Sequence, residues 1–191
     1  SNKTSTTSYN NFFHILFFTL LKSISILDNL NVSIHYTMSI SRQNLSIVIV
    51  TLKSENIIHE CVKSIDPNIP IIVVENSNNE VFKKDLEFKY KNIRCVLSKS
   101  NLGMGAANNI GIKLTNTEYV LIINPDVTLQ KNTLDQIYSA SNKISEFSIL
   151  SPLVSDKNFP NYGMLDKKRK VNINHPAVKV DYIDGFAMLI N

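Results

Sequence analysis

Asp126 closes a run of apolar residues. YVLIIN (119–124) ends on Asn124, and Pro125 and Asp126 follow before the chain turns apolar again. Asn, Pro and Asp are all turn formers, each for its own reason of backbone geometry, so a strand leaving a core accounts for the triplet. A carboxylate at the carboxyl end of a buried strand is also where open α/β sheets bind ligands, and there it can hold a divalent metal and, through it, phosphates. This stretch alone leaves both readings open.

A second candidate is SNLGMGAANNIGI (100–112), with Gly103 and Gly105 two residues apart. The dinucleotide fingerprint G-x-G-x-x-G would need glycine at 108, where Asn108 stands, and the stretch does not follow the first strand. No G-K-[ST] follows, so a phosphate P-loop fails as well. What remains is a turn in which two glycines let backbone approach a ligand closely, feeding a helix that begins through Ala106, Ala107, Asn108 and Asn109; a purely structural turn competes with it.

These residues are positioned by a regular alternation. LSIVIVTL (45–52) and IPIIVVEN (69–76) are short, β-branched and nearly continuously apolar, as expected of parallel strands buried on both faces. IRCVLSK (93–99), YVLIIN (119–124), SILSPLV (148–154) and VDYIDGFAMLI (180–190) read as further strands. Residues 55–65 set Ile57, Ile58, Cys61, Val62 and Ile65 at helical spacing, with His59 off that stripe and facing solvent; 104–115 and 133–144 are also helical. The alternation predicts right-handed crossovers, hence an α/β fold with a mostly parallel, Rossmann-like sheet flanked by helices. Thr51, Glu75-Asn76-Ser77, 101–109 and 124–126 then all fall on the carboxyl edge of the sheet, where doubly wound folds bind ligands.

The chain has 191 residues, 43% hydrophobic and 19% charged, which suits one well-buried globular domain and excludes a disordered chain. The net charge of +4 is spread out apart from Lys167-Lys168-Arg169-Lys170, read as a solvated loop, so no nucleic-acid partner is expected. Cys61 and Cys95 lack zinc spacing and read as reduced thiols of a cytosolic protein. Residues 1–44 are polar around FFHILFFTLLKSISIL (12–27), which His14 and Lys22 interrupt and which is too short for a membrane span. They are expected to lie outside the fold, with Met38 as the functional start and the domain occupying 45–191. The run 180–190 stops inside a strand, so the domain is expected to be incomplete at its carboxyl end.

The order LSIVIVTL, VVENS, NLGMGAANNIGI, YVLIINPDV resembles the inverting GT-A glycosyltransferases of family 2, most nearly their rhamnosyltransferase-like branch, whose members read V-V-D-N-x-S, N-x-G-f-g-x-a-x-N-x-G and L-N-P-D in these places. The resemblance covers about residues 45–190. It implies a nucleotide-diphosphate-sugar donor, dTDP- or UDP-linked, a Mg²⁺ or Mn²⁺ ion, and inverting transfer to a hydroxyl of a glycan or lipid-linked acceptor. It further implies cell-surface polysaccharide synthesis at the inner face of the cytoplasmic membrane, with peripheral membrane association. Carried over, Thr51, Glu75, Asn76 and Ser77 line the nucleoside pocket; Asn101, Gly103, Gly105 and Asn108 border the donor; Asn124-x-Asp126 stands as the D-x-D-like motif, with Asp126 on the metal. The family's Asp in V-V-D-N is Glu75 here, one methylene longer. Its general base lies in an acidic E-D motif, expected beyond Asn191, with Asp184 as a lesser acceptor-side candidate. Two other classes compete. A nucleotidyltransferase would carry its glycine-rich loop after the first strand, where TLKSEN (51–56) has no glycine. A non-catalytic nucleotide-sugar-binding domain would need no base.

Overall fold

The computed structural model describes residues 15–18, 43–144, 147–153, 161–165 and 177–191. Its elements run β1 (Ile15–Phe18), β2 (Leu45–Thr51), α1 (Ile58–Lys63), β3 (Ile71–Glu75), α2 (Glu80–Lys89), β4 (Ile93–Leu97) and α3 (Gly103–Lys113). They continue with β5 (Tyr119–Ile123), α4 (Thr133–Ser141), β6 (Ile149–Pro152), β7 (Tyr162–Gly163), β8 (Ala177–Lys179), β9 (Tyr182–Ile183) and β10 (Ala187–Ile190).

Side chains alternate across a strand, and in β2, β3 and β5 both sets are apolar, so these strands fit only between two covered faces. Leu45, Ile47 and Ile49 join Ile71, Val73, Leu121 and Ile123 in a core closed by Ile58, Cys61 and Val62 of α1, Phe82 and Leu86 of α2, and Leu134 and Ile137 of α4. Val48, Ile72, Val74, Val120 and Ile122 face the other way and meet Ala107 of α3. Gly111 lets α3 settle onto β2, because a Cβ there would fall 2.4 Å from Val48 Cγ1.

The main sheet has the order β4-β3-β2-β5-β10-β6-β1-β8. β4, β3, β2 and β5 are mutually parallel, while β10 runs antiparallel to both β5 and β6. The fold is therefore α/β with a mixed, mostly parallel sheet. The chain steps outward from β2 through β3 to β4 and then returns to the other side of β2 with β5. α1, α2 and α4 cover one face of the sheet while α3, which makes the return, covers the other, and that reversal is where such sheets bind ligands at the carboxyl ends of their strands.

Several expectations are corrected. Residues 80–89, not read as a helix from the sequence, form α2; Asn79 caps it by accepting from the Phe82 N–H at 3.0 Å. Ile57 is 48% exposed and stands at the N-cap of α1, off the buried stripe. Residues 180–190 are two strands, because Tyr182–Ile183 pairs with β7 while Ala187–Ile190 crosses to β5. Of the 1–44 extension, expected to lie outside the fold, Ile15–Phe18 pairs with β6 and β8 toward the far edge of the sheet. Met38 and the Lys167–Lys170 cluster lie outside the described residues.

Candidate functional site

Five segments meet at the carboxyl edge around the β2/β5 reversal. Thr51 ends β2, with its Oγ1 buried and without a hydrogen-bond partner among the described residues. Its carbonyl accepts from the Asn76 N–H at 2.7 Å, which ties the end of β2 to the turn after β3.

Glu75 is fully buried, and its carboxylate is engaged inside the protein. Oε1 accepts from the Ser77 N–H at 3.0 Å and from the Ser77 hydroxyl; Oε2 accepts from the Asn79 N–H at 2.7 Å. The side chain therefore folds over its own turn and braces the start of α2. Asn78 within this turn has φ +59, a left-handed geometry that Asn adopts more readily than most residues.

Between β4 and α3 the turn 98–102 carries Asn101 and leads into Gly103 and Gly105 in the first turn of the helix. Asn101 Oδ1 accepts from the Gly103 N–H at 3.0 Å. Gly103 has φ +74, and neither Gly103 nor Gly105 has any atom within 4 Å of where a Cβ would sit, so backbone is bare to solvent here. Asn108 lies one turn into α3, buried, with Oδ1 lacking a partner among the described residues.

Asn124 follows β5, and its N–H donates to Phe186 O at 2.9 Å. Its carbonyl accepts from the Val127 N–H at 3.1 Å and from the Cys61 thiol at 3.7 Å. The loop is clipped again at its far end, where the Leu129 N–H donates to Ser64 Oγ at 2.9 Å. Asp126 stands exposed in the middle of this fixed loop. Burial pushes the Cys61 thiol up to about 12, and the nearby Asp126 carboxylate adds to the rise.

The fifth segment was not placed by sequence reasoning. Ala187 pairs with Ile123, so the turn before β10 ends up beside Asn124–Asp126 and brings exposed Asp184 to the same edge. Gly185 in that turn packs on α3, since a Cβ there would lie 2.9 Å from Met104 Cε. All the residues singled out from the sequence thus lie on one edge. Thr51, Glu75, Asn76 and Asn108 are buried, while Asn101, Gly103, Gly105, Asp126 and Asp184 are exposed. Ser98, which the sequence places near the end of the strand run 93–99, lies just past β4 and is buried against Asn76 and Glu75. Only its place between a strand and the glycine turn hinted at such a role.

Residues 46–189 match glycosyl transferase family 2. The chain belongs to that family. A low-salt glycan biosynthesis hexosyltransferase, Agl10 of Haloferax volcanii, is 30% identical over 118 residues, covering 60% of this family 2 chain and 38% of the relative. The chain thus spans about two fifths of the length of that relative. Among solved structures, a mannosyltransferase from Pyrobaculum calidifontis in complex with GDP-Man and Mn²⁺ superimposes with a TM-score of 0.50 at 12% identity, over 77% of this chain and 44% of the other. S. aureus TarS 1-349 gives a TM-score of 0.45 at 21% identity, over 52% and 32%. The likeness in structure is one of fold, and that fold is GT-A-like.

Proposed function

We propose that this family 2 domain transfers a hexosyl or rhamnosyl residue, with inversion, from a UDP- or dTDP-linked donor to a hydroxyl of a glycan or lipid-linked acceptor. Its place is cell-surface polysaccharide synthesis, at the inner face of the cytoplasmic membrane. One observation carries the reading: the carboxylate of Asp126 stands exposed in a braced loop after β5, on the same sheet edge as the bare backbone of Gly103 and Gly105. A nucleoside diphosphate needs backbone it can approach closely and a means of offsetting its charge, and this edge supplies both.

Among the described residues no three His, Cys, Asp or Glu side chains gather to cage an ion. One exposed carboxylate two residues after Asn124 suits Mg²⁺ or Mn²⁺, which keep waters and substrate phosphates among their ligands and need only one or two protein carboxylates. Asp126 and Asn124 would hold such an ion, which when bound supplies Lewis-acid neutralisation of the departing diphosphate. The chain's own residues do the rest. Thr51 and Ser77 line the nucleoside side, with Glu75 and Asn76 bracing that turn from behind, and Asn101, Gly103, Gly105 and Asn108 border the diphosphate and sugar. In inverting transfer the acceptor oxygen bonds to the anomeric carbon as the bond to the diphosphate breaks on the opposite face, and the acceptor proton passes to a base. Among this chain's own residues, Asp184, exposed at the same edge, stands on the acceptor side as the candidate for that base.

Calorimetric titration of UDP, dTDP, GDP and ATP in the presence of Mn²⁺ tests the class of ligand. Preference for a nucleoside diphosphate over ATP is the expected result. A preference for ATP would favour nucleotidyl transfer and sink the glycosyltransfer reading.

A further inference from the structure

Asn76 is joined to two other segments of the site. Its N–H reaches Thr51 O, as above, and its side-chain amide does the remaining work. Nδ2 donates to Asn101 Oδ1 at 3.3 Å and to Gly103 O at 3.4 Å. Oδ1 accepts from the Ser98 hydroxyl at 2.8 Å and from the Leu102 N–H at 3.3 Å. A primary amide offers two donor hydrogens and two acceptor lone pairs, and in this one both ends face protein groups, with the single Ser98 proton shared among Asn76 Oδ1, Ser100 O and Glu75 O. The residue is only 2% exposed. It has almost no surface left for a ligand.

Ser98 stands behind it, itself buried, with its Oγ also within reach of Glu75 O at 3.2 Å and Ser100 O at 2.7 Å, and its N–H donating to Glu75 O at 2.9 Å. Everything that Asn76 grips beyond Ser98 belongs to residues 101–103, the segment that swings Gly103 into φ +74 and leaves the backbone bare. Without the amide, the turn 101–103 that opens α3 would keep the Asn101–Gly103 contact and the backbone bonds of the helix that follows.

We propose that Asn76 and Ser98 form a positioning pair: the pair fixes the 101–103 turn at the start of α3 in the conformation that receives the donor diphosphate, and Asn76 does not itself touch the donor. The ligand named here rests on the glycosyltransferase reading above; the turn's dependence on the amide does not. Asn76→Asp keeps the shape of the side chain but cannot donate, and it turns an acceptor toward Asn101 Oδ1 and the Gly103 carbonyl. Ser98→Ala removes one support and leaves the amide in place. Asn92→Ala, at the opposite edge of the sheet, deletes a side-chain hydrogen bond of similar kind, from Nδ2 to Ile69 O at 2.9 Å, and serves as the control for stability alone.

The experiment is ¹⁵N relaxation at Gly103 and Gly105 in nucleotide-free protein, followed by UDP titration with Mn²⁺ well below the melting temperature. In wild type both glycines should show order parameters near the rigid value of about 0.85; in Asn76→Asp they should fall below about 0.6. UDP affinity should drop about tenfold or more, with a smaller loss in Ser98→Ala and none in Asn92→Ala despite its lower melting temperature. Glycines that stay rigid in Asn76→Asp, or Asn92→Ala weakening UDP as much as Ser98→Ala, would overturn the proposal. Should wild type bind no nucleotide while its glycines still loosen in Asn76→Asp, the positioning role stands and the donor reading falls.

Discussion

Replacing Gly111 by alanine tests how tightly α3, and the loop it carries, is seated. The new Cβ would lie 2.4 Å from Val48 Cγ1 and 3.2 Å from Cγ2, whereas carbon atoms attract best at about 3.5–4.0 Å. Val48 is fully buried and β-branched, so it has little freedom to turn aside, and the helix must lift by about 1 Å. Overpacking of this kind costs about 1–3 kcal/mol, while alanine in place of glycine inside a helix returns about 1 kcal/mol. The net is a loss of about 0–2 kcal/mol, or roughly 2–4 °C in melting temperature per kcal/mol for a chain of this size. Because the first turns of α3 hold Gly103, Gly105 and Asn108, UDP affinity should fall along with stability. Urea denaturation of Gly111→Ala, Val48→Ala and the double variant is the assay. Trimming Val48 makes room for the new methyl, so the double variant should lose at least about 0.5 kcal/mol less than the sum of the singles. A single variant about 1 kcal/mol more stable than wild type, or strictly additive losses, would refute the close-contact reasoning.

Three further outcomes follow from the same geometry. β4 is an edge strand whose Cys95 N–H donates to Glu87 Oε1 at 2.8 Å and whose Cys95 carbonyl accepts from Lys83 Nζ at 2.8 Å, so α2 closes that edge with side chains; Lys83→Ala with Glu87→Ala should promote self-association on sedimentation, and an unchanged monomer would contradict this. Burial, joined by nearby carboxylates, pushes the Cys61 and Cys95 thiols from 9.0 up to about 12, and an acid whose folded value is raised stabilises below its unfolded value and loses that contribution above it. Stability should therefore decline as pH rises from about 9 toward 12, and a thiol reagent at pH 8 should label neither cysteine until denaturant is added; rapid native labelling would refute it. Starting the chain at Met38 removes β1, which β10 and β6 separate from β5, and should leave UDP affinity unchanged, whereas a lost affinity would show that the extension supports the site.

The central strands were legible because burial on both faces leaves a plain record: β-branched runs with few polar interruptions. The site's edge was legible for a related reason, since a polar turn after each such run must fall at the strand's carboxyl end. What the sequence concealed came from pairings between distant segments. α2 was missed because EVFKKDLEFK buries only Phe82 and Leu86, and so few apolar positions leave no clear stripe among its charges. The run 180–190 looks like one strand because apolar residues continue through it, yet its two halves pair with different partners around the Asp184-Gly185 turn. Glu75 reads as a residue available to a ligand. Its extra methylene instead lets it reach past Ser77 to the Asn79 N–H, a local fold-back that spacing does not reveal. Ser98 carries no pattern, because its role depends wholly on Asn76 lying on the neighbouring strand's turn.

The central claim is that the Asp126 carboxylate holds a divalent metal and, through it, the donor diphosphate. Asp126→Asn removes the charge while keeping a good turn residue, and an exposed side chain contributes little packing, so the melting temperature should stay within about 2 °C, as expected of a surface change under about 0.5 kcal/mol. Calorimetric titration of UDP and dTDP, with and without Mn²⁺, on wild type and Asp126→Asn is the deciding measurement. The account predicts that Mn²⁺ tightens nucleotide binding by the wild type about tenfold or more and has little effect on the variant; equal, metal-independent affinities in both proteins would contradict it.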